Sequence, residues 1–222
     1  MLIGCLLGYP FGYALEKDGE IIQNLCPLEN RRKTASSEGF DYELLLHTDD
    51  AFHPRRPDYL MLYCVRPDHE NEAATLISGI QGALEEVGEA KRRILRSPLY
   101  LFRAPDSWNN RVPFQNEGRP IVVGRESSPL AMLSFNQGVV MPLSSEAEEA
   151  LNSLRDALNE SQRLVYLKPG ELLVLNNYKS AHGRTTYKPR FDGHDRWLQR
   201  VFLLEDLWKE PGDPAFPSRV FH

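Results

Sequence analysis

The sequence has few cysteines, no long apolar run and no concentrated positive charge. Its three cysteines, Cys5, Cys26 and Cys64, form neither a metal-type pair nor an even-numbered disulfide framework, which suits a reducing cytosol. The apolar stretch that ends at Leu15 is interrupted by glycine and proline and is too short to span a bilayer. We therefore expect a cytoplasmic protein with no membrane partner.

The charge and the length of the chain bear on its partners and on its number of domains. Lysine and arginine number 26 against 31 aspartates and glutamates, a net charge of -5. The short basic cluster at residues 91–93 is expected to be a solvated face. Because no segment combines basic with aromatic residues, nucleic acid is not an expected partner. With 222 residues, of which 41% are hydrophobic, residues 1–222 are expected to form one domain around a substantial core.

Short strands dominate the predicted elements. Apolar and β-branched segments predict strands at residues 42–47, 58–65, 99–102, 120–123, 171–176 and 196–204. Apolar spacing predicts an amphipathic helix over about residues 72–87, and a capping box at residues 145–148 predicts the start of a second helix. The chain opens on apolar residues 6–13, which resemble an interior strand. This mixture indicates a mainly β fold, a sandwich or barrel with flanking helices.

Two potential metal ligands, His47 and Asp49, lie at the end of a predicted strand. Residues i and i+2 of a strand project to the same face, so the imidazole and the carboxylate can converge on one point. His182 follows another predicted strand and is the best-placed third ligand. Two histidines and one carboxylate on one face of an iron leave the opposite face open, as in non-haem Fe(II) oxygenases. An isolated H-x-D pattern is also a frequent chance match. The remaining histidines are expected to have ordinary polar roles: His53, His69, His194 and His222.

Four arginines follow the third potential ligand: Arg184, Arg190, Arg196 and Arg200. Arg196 and Arg200 are four residues apart in a predicted strand and so share one side. Two guanidinium groups that face a pocket would suit two carboxylates, one from a 2-oxo acid and one from a substrate. The alternative is that both arginines are exposed on the sheet.

Two longer motifs carry a family resemblance. The first is HTDDAFHP at residues 47–54, followed by RPDYL at 56–60; the second is HGRT at 182–185, followed by PRFDG at 189–193 and DRWL at 195–198. In this order they resemble the clavaminate synthase-like branch of the taurine dioxygenase (TauD) family of Fe(II)/2-oxoglutarate-dependent oxygenases. The nearest resemblance is to amino-acid β-hydroxylases of peptide antibiotic pathways, such as the arginine hydroxylase of viomycin biosynthesis. It covers about residues 6–207.

The resemblance implies a fold, a metal and two cosubstrates. The fold is a double-stranded β-helix (jelly-roll) that binds Fe(II) through His47, Asp49 and His182 and uses 2-oxoglutarate and O2. Arg196, 14 residues after His182, would hold the distal carboxylate of 2-oxoglutarate, assisted by Thr75, 28 residues after His47. No catalytic residue beyond the metal ligands is expected.

The same resemblance implies the substrate contacts. Arg200 matches the arginine that grips the α-carboxylate of the substrate, and the stretch before the long helix brings Ser134 and Asn136 near the rest of it. The arginine hydroxylases carry acidic residues in that stretch, whereas residues 133–136 here include none. A cationic substrate is therefore disfavoured, because an unpaired guanidinium in a closed pocket is costly. Asp49 replaces the glutamate of many members. Halogenating members have a small residue there, so hydroxylation is favoured over halogenation.

These features lead to one expected function and two alternatives. We expect hydroxylation of an unactivated C–H bond of a small substrate, a free or carrier-bound α-amino acid of specialised metabolism. Desaturation or ring closure on the same scaffold is one alternative, since these outcomes depend on substrate position. The other is a non-catalytic jelly-roll that binds a small acid or a partner protein. It is suggested by the lack of the N-terminal portion that family members usually carry, and a short family member and a fragment are both left open.

Overall fold

The structure is a computed structural model that describes residues 1–34, 36–103, 108, 117–123, 132–136, 139–205 and 219–221. The strands in this part of the chain are β1 (Tyr9–Tyr13), β2 (Gln23–Leu25), β3 (Leu44–His47), β4 (Tyr59–Arg66), β5 (Thr75–Gly79), β6 (Tyr100–Phe102), β7 (Val122–Val123), β8 (Met132–Leu133), β9 (Val140–Pro142), β10 (Arg163–Val165), β11 (Leu172–Asn176), β12 (Ser180–Arg184), β13 (Trp197–Leu204) and β14 (Val220–Phe221). The α-helices there are α1 (Leu2–Leu7), α2 (Ile80–Val87), α3 (Glu89–Leu95) and α4 (Ser145–Glu160).

Two sheets form the framework. The larger has six strands in the order β11-β4-β13-β1-β14, with β2 also paired to β13, and the smaller has the order β10-β5-β12-β3. One hydrophobic cluster extends through both sheets, and its members include Leu62 and Phe202 of the larger sheet and Leu46 and Leu76 of the smaller. Packing of two mostly antiparallel sheets over a shared core gives the expected double-stranded β-helix, the jelly-roll.

The helices cover this framework from outside the sheets. The longest, α4, buries Ala147, Leu151, Leu154 and Leu158 along one face, and it contacts α2 and α3. Its N-cap is Ser144, whose hydroxyl accepts a hydrogen bond from the backbone N–H of Ala147 at 3.1 Å. The predicted capping box at 145–148 was therefore wrong by one residue, because adjacent serines offer the same side-chain acceptor.

Two predicted elements differ from the structure in type. Residues 75–79 form β5 rather than the first turns of a helix, and the helix begins only at Ile80. Leu76 and Ile80 are both buried, and their spacing of four residues fits one face of a helix. Leu76, however, lies in a strand that pairs with β10 and β12. Likewise, residues 6 and 7 end α1, and the strand begins at Tyr9.

The described part of the chain includes no helix of the length and hydropathy that crossing a membrane requires.

Candidate active site

The three predicted metal ligands meet on the smaller sheet. His47 ends β3 and is the register partner of His182 in the neighbouring β12, so the two imidazoles lie side by side with ring centroids 4.4 Å apart. Asp49 follows β3 by two residues. Its Oδ1 lies 3.6 Å from His47 Nε2, and its Oδ2 lies 3.5 Å from His182 Nε2. The ligand atoms of all three side chains are within 4.8 Å of one another, which confirms the convergence expected from the sequence.

The donor set fits a divalent metal. Both His–Asp distances exceed those of a normal hydrogen bond, and Asp49 Oδ2 is buried without any hydrogen-bond partner in the described structure. His47 Nδ1 lies 2.8 Å from the carbonyl oxygen of Leu45. Because a carbonyl only accepts, Nδ1 carries a proton, which makes Nε2 the nitrogen that a metal would bind. Two histidines and one carboxylate are the ligand set of non-haem Fe(II) sites.

Electrostatics keep the ligands in their metal-binding protonation states. Burial raises the pKa of Asp49, but the positive charge of Arg200 and the interactions with His182 and His47 outweigh this effect and hold that pKa below its ordinary value. Burial, together with the smaller effect of nearby His47, lowers the pKa of His182 to about 3, although Asp49 opposes this shift. At neutral pH, Asp49 is therefore ionised and His182 is neutral, with its lone pair free.

A buried amide holds Asp49 in place. Asn177, which is 1% exposed, accepts a hydrogen bond from the backbone N–H of Asp49 at 2.8 Å. Its Nδ2 donates to the carbonyl oxygens of Asp49 at 2.9 Å and Pro57 at 3.0 Å. On the other side, the Thr48 hydroxyl accepts from the Phe135 N–H at 3.1 Å. The loop that carries the carboxylate is therefore fixed from two directions.

Arg200 lies behind the carboxylate in a polar network. From β13 of the larger sheet, its Nη1 lies 3.4 Å from Asp49 Oδ1. Its Nη2 donates to Glu16 Oε1 at 2.5 Å, and its Nε donates to Gln23 Oε1 at 2.8 Å. Burial lowers the pKa of Arg200, but the nearby carboxylates of Glu16, Asp49 and Asp50 outweigh this effect and raise the pKa above its ordinary value. Nη2 also donates to Gln23 Oε1, so both of its hydrogens are used. Of the two Nη1 hydrogens, one is needed for Asp49 and the other is available to a further acceptor.

A cavity of about 390 Å³ opens beside the triad, between the two sheets. Its lining includes Thr75, Arg184 and Arg196 in addition to the metal ligands and Arg200. Arg196 and Arg200 thus face one cavity, as their spacing indicated. Thr75 begins β5 on the smaller sheet, in register with Arg184. Arg190, in contrast, is exposed and pairs with Glu70 at 2.5 Å.

The two polar residues expected at the substrate occupy different positions. Asn136 lines the cavity, and its backbone forms an isolated antiparallel β-bridge with His47. Ser134 is not among the lining residues; its hydroxyl accepts a hydrogen bond from Arg56 Nη1 at 2.6 Å. The role of Ser134 in substrate binding stays a prediction without a contact to support it.

One further histidine has neighbours that the sequence analysis missed. His69 Nε2 lies 3.4 Å from Asp192 Oδ1 and 3.5 Å from Asp195 Oδ1, and the three could hold a cation. Both carboxylates already accept backbone N–H groups of the loop before Arg196, so this cluster also fixes that loop. His53 and His194 lie outside both clusters, and His222 is beyond the described residues.

The residues that sequence reasoning overlooked are Glu16, Gln23 and Asn177. Glu16 and Gln23 flank the turn before β2, and nothing local distinguishes them from surface polar residues, because their partner Arg200 is far away in the chain. For Asn177, its position directly after the apolar strand β11 was a usable indication. A buried polar side chain there must find partners.

Comparison with known proteins finds relatives that include an amino-acid oxygenase and a clavaminate synthase. The chain is 31% identical to the L-asparagine oxygenase of Streptomyces coelicolor, over 93% of this chain and 61% of the relative. It is 32% identical to clavaminate synthase 2 of Streptomyces clavuligerus, over 92% of this chain and 63% of the relative. The chain thus spans less than two thirds of the length of these relatives.

Solved structures agree with the sequence comparison. A crystal structure of asparagine oxygenase in complex with Fe(II), 2S,3S-3-hydroxyasparagine and succinate matches with a TM-score of 0.93 and 30% identity, over 99% of this chain and 68% of that one. The non-heme iron oxygenase OrfP in complex with Fe, succinate and (3S)-hydroxy-L-Arg matches with a TM-score of 0.89 and 25% identity, over 100% and 70%. The jelly-roll assignment is therefore confirmed. The taurine catabolism dioxygenase TauD, TfdA family matches residues 1–202, and the chain belongs to that family, in the clavaminate synthase-like branch that its motifs indicated.

Proposed function

We propose that this chain binds Fe(II) and 2-oxoglutarate and hydroxylates an unactivated C–H bond of a small α-amino acid or amino-acid derivative. The observation that carries the proposal is the convergence of His47, Asp49 and His182 at the wall of a cavity large enough for two small acids. Relatives described as amino-acid oxygenases and hydroxylases support it. We further propose that residues 1–222 form one domain, since a single core cluster extends from Phe11 to Phe221.

The cavity offers a place for a 2-oxo acid. Arg196 is 6% exposed, lines the cavity and makes no hydrogen bond or ion pair to any residue that the structure describes. A buried guanidinium without an ion-pair partner is costly, so an anionic ligand would stabilise it. Thr75 supplies a hydroxyl to the same cavity. Together they support binding of the distal carboxylate of 2-oxoglutarate, whose 2-oxo acid end would reach the metal.

The opposite charges beside the metal favour a zwitterionic substrate. Arg200 keeps one Nη1 hydrogen for an α-carboxylate. Glu16 lines the cavity, and its Oε2 is buried without a hydrogen-bond partner in the described structure, so it suits an α-ammonium group. Burial and the neighbouring carboxylates raise the pKa of Asp50 well above its ordinary value, so a protonated Asp50 would not compete for the ammonium group. Asn136 would contact the substrate side chain.

In this account the protein positions groups and excludes water, and the bound iron supplies the oxidation of the cosubstrate and of the C–H bond. Asp49 and the two histidines hold the metal on the smaller sheet. Arg200 and Glu16, on the side of the larger sheet, fix both ends of the α-amino acid backbone. The side-chain carbon to be hydroxylated is thereby set at a constant distance from the metal ligands, and this positioning decides which bond reacts.

Succinate formation tests the proposal. The protein is incubated with Fe(II), 2-oxoglutarate and ascorbate and each proteinogenic amino acid in turn, and product masses are recorded. We expect one amino acid to stimulate succinate release and to gain the mass of one oxygen atom, while His182→Ala abolishes both. His194→Ala, a histidine outside the metal site, is the matched control and should retain activity. Loss of two hydrogens instead would favour desaturation or ring closure, and a wild-type protein that binds neither iron nor 2-oxoglutarate would contradict the proposal.

A further inference from the structure

We infer that Arg184 is a second cosubstrate-binding arginine, which holds the distal carboxylate of the 2-oxo acid together with Arg196. This inference rests on the proposed function, because it assigns a residue to the cosubstrate of that reaction. Arg196 and Thr75 were expected there from the sequence, whereas Arg184 was noted only as one of several arginines. Its position, its two unpartnered guanidinium nitrogen atoms and its charged neighbour each point to the same ligand.

The strand register puts Arg184 beside the expected carboxylate. Arg184 follows His182 by two residues in β12, so both side chains project from the same face of the smaller sheet, and both line the cavity. On the adjacent strand β5, its register partner is Thr75. Directly opposed residues of an antiparallel pair have Cβ atoms about 5 Å apart. A carboxylate that accepts from the Thr75 hydroxyl therefore lies within reach of the Arg184 guanidinium.

Two of the three guanidinium nitrogen atoms of Arg184 lack a hydrogen-bond partner in the described part of the chain. The residue is 3% exposed, and its Nε and Nη1 are buried without a hydrogen-bond partner among the residues that the structure describes. Only Nη2 bonds, to the carbonyl oxygen of Tyr42 at 3.2 Å. Burial accordingly lowers the pKa of Arg184 to about 10. Desolvation of a cation is compensated only by an opposite charge or by hydrogen bonds, and the single hydrogen bond to Tyr42 leaves most of this cost uncompensated until an anion enters the cavity.

A second buried guanidinium lies in the same wall. The Cζ atoms of Arg184 and Arg196 lie 5.0 and 5.7 Å from the centroid of the Tyr187 ring. Contact with a ring face attracts a cation but brings no negative charge, and two neighbouring cations repel each other. Asp68 is close enough to raise the pKa of Arg196, yet its oxygens accept the backbone N–H groups of Glu72 and Ala73. A carboxylate, with two oxygens that each accept from a guanidinium, relieves both desolvation and repulsion.

The test compares two acids that differ only at the distal end. 2-Oxoglutarate and 2-oxopentanoate share the 2-oxo acid that binds the metal, but 2-oxopentanoate has a methyl group in place of the distal carboxylate. Binding of each is measured by calorimetry with Fe(II)-loaded protein under anaerobic conditions, so the readout does not depend on turnover. We expect Arg184→Gln to weaken 2-oxoglutarate binding by roughly 10- to 100-fold, as for loss of a charge-assisted hydrogen bond, and to change 2-oxopentanoate binding by less than about threefold.

The controls separate a binding role from a structural one. Arg190→Gln removes an arginine of the same segment that is exposed and outside the cavity, and it should leave both affinities unchanged. Equal losses for the two acids in Arg184→Gln, or no loss for 2-oxoglutarate, would overturn the inference. If the glutamine variant does not fold, Arg184→Lys replaces it, and an unchanged ratio of the two affinities would overturn the inference there. Wild-type protein that binds iron but neither acid would instead refute the proposed function, and the inference with it.

Discussion

Asn177→Ala is the substitution that most directly tests how the metal site is supported. The side chain makes three buried hydrogen bonds, of 2.8, 2.9 and 3.0 Å, to Asp49 and Pro57. Each is worth about 0.5–1.5 kcal/mol, and the backbone groups left unpaired in a buried place add to the loss. We therefore expect a loss of about 3–5 kcal/mol in the free energy of unfolding. For a chain of this size, that lowers Tm by roughly 10 °C.

The metal provides a second readout for the same variant. Asn177 fixes the backbone that carries Asp49, and loss of such a supporting contact typically lowers metal affinity about 10- to 100-fold. Urea unfolding of the metal-free protein and calorimetric titration with Fe(II) under anaerobic conditions measure the two effects separately. Asn152→Ala, an exposed position on α4, is the matched control and should change neither. If Asn177→Ala resembled Asn152→Ala in both assays, the reasoning about this support would be refuted.

Three further predictions concern the strand pairing, the protonation of a ligand and the substrate. A Cβ at Gly183 would lie 2.4 Å from the carbonyl oxygen of Leu44, so Gly183→Ala should lower Tm and metal affinity. A Cβ at Gly82 meets nothing within 4 Å, so Gly82→Ala should raise the free energy of unfolding by about 0.5–1 kcal/mol. Because the pKa of His182 is about 3 in the folded state and near its ordinary value when unfolded, stability of the metal-free protein should fall as pH decreases from about 6.5 towards 3. This group contributes at most about 1.4 kcal/mol per pH unit, and urea unfolding of His182→Gln should show a shallower dependence between pH 5 and 7. Glu16→Gln should raise KM for the amino acid at least tenfold and leave KM for 2-oxoglutarate unchanged, and steady-state succinate assays that gave the reverse pattern would exclude Glu16 as the ammonium acceptor.

Local sequence patterns predicted the elements that carry the site better than the contacts within it. The strands that end near His47 and at Asn176 were expected within two residues, because alternating apolar side chains and flanking turn residues are local features. The apolar spacing predicts helix for residues 75–79, although they form a strand. Leu76 and Ile80 are four residues apart, as on one face of a helix, because this strand runs directly into the helix that begins at Ile80. Only strand pairing resolves that ambiguity, and pairing is not encoded locally.

Contacts between distant parts of the chain were not predictable in the same way. Arg200 was expected to face a pocket, but its partners Glu16 and Gln23 come from a turn nearly the whole chain away. The pairing of Arg184 with Thr75 likewise depends on the register of β12 against β5. The convergence of His47, Asp49 and His182 was predictable from the sequence, because the first two are two residues apart at the end of one strand and the resemblance supplied the context for the third.

We propose that His47, Asp49 and His182 bind Fe(II) and leave room for 2-oxoglutarate on the metal. Visible absorption after anaerobic addition of Fe(II) and then 2-oxoglutarate to the wild-type protein is the decisive test. We expect a weak charge-transfer band that saturates at one equivalent of iron, is lost in His182→Ala and persists in His194→Ala. If the band were absent from the wild-type protein, or persisted in His182→Ala, these three residues would not form the iron site.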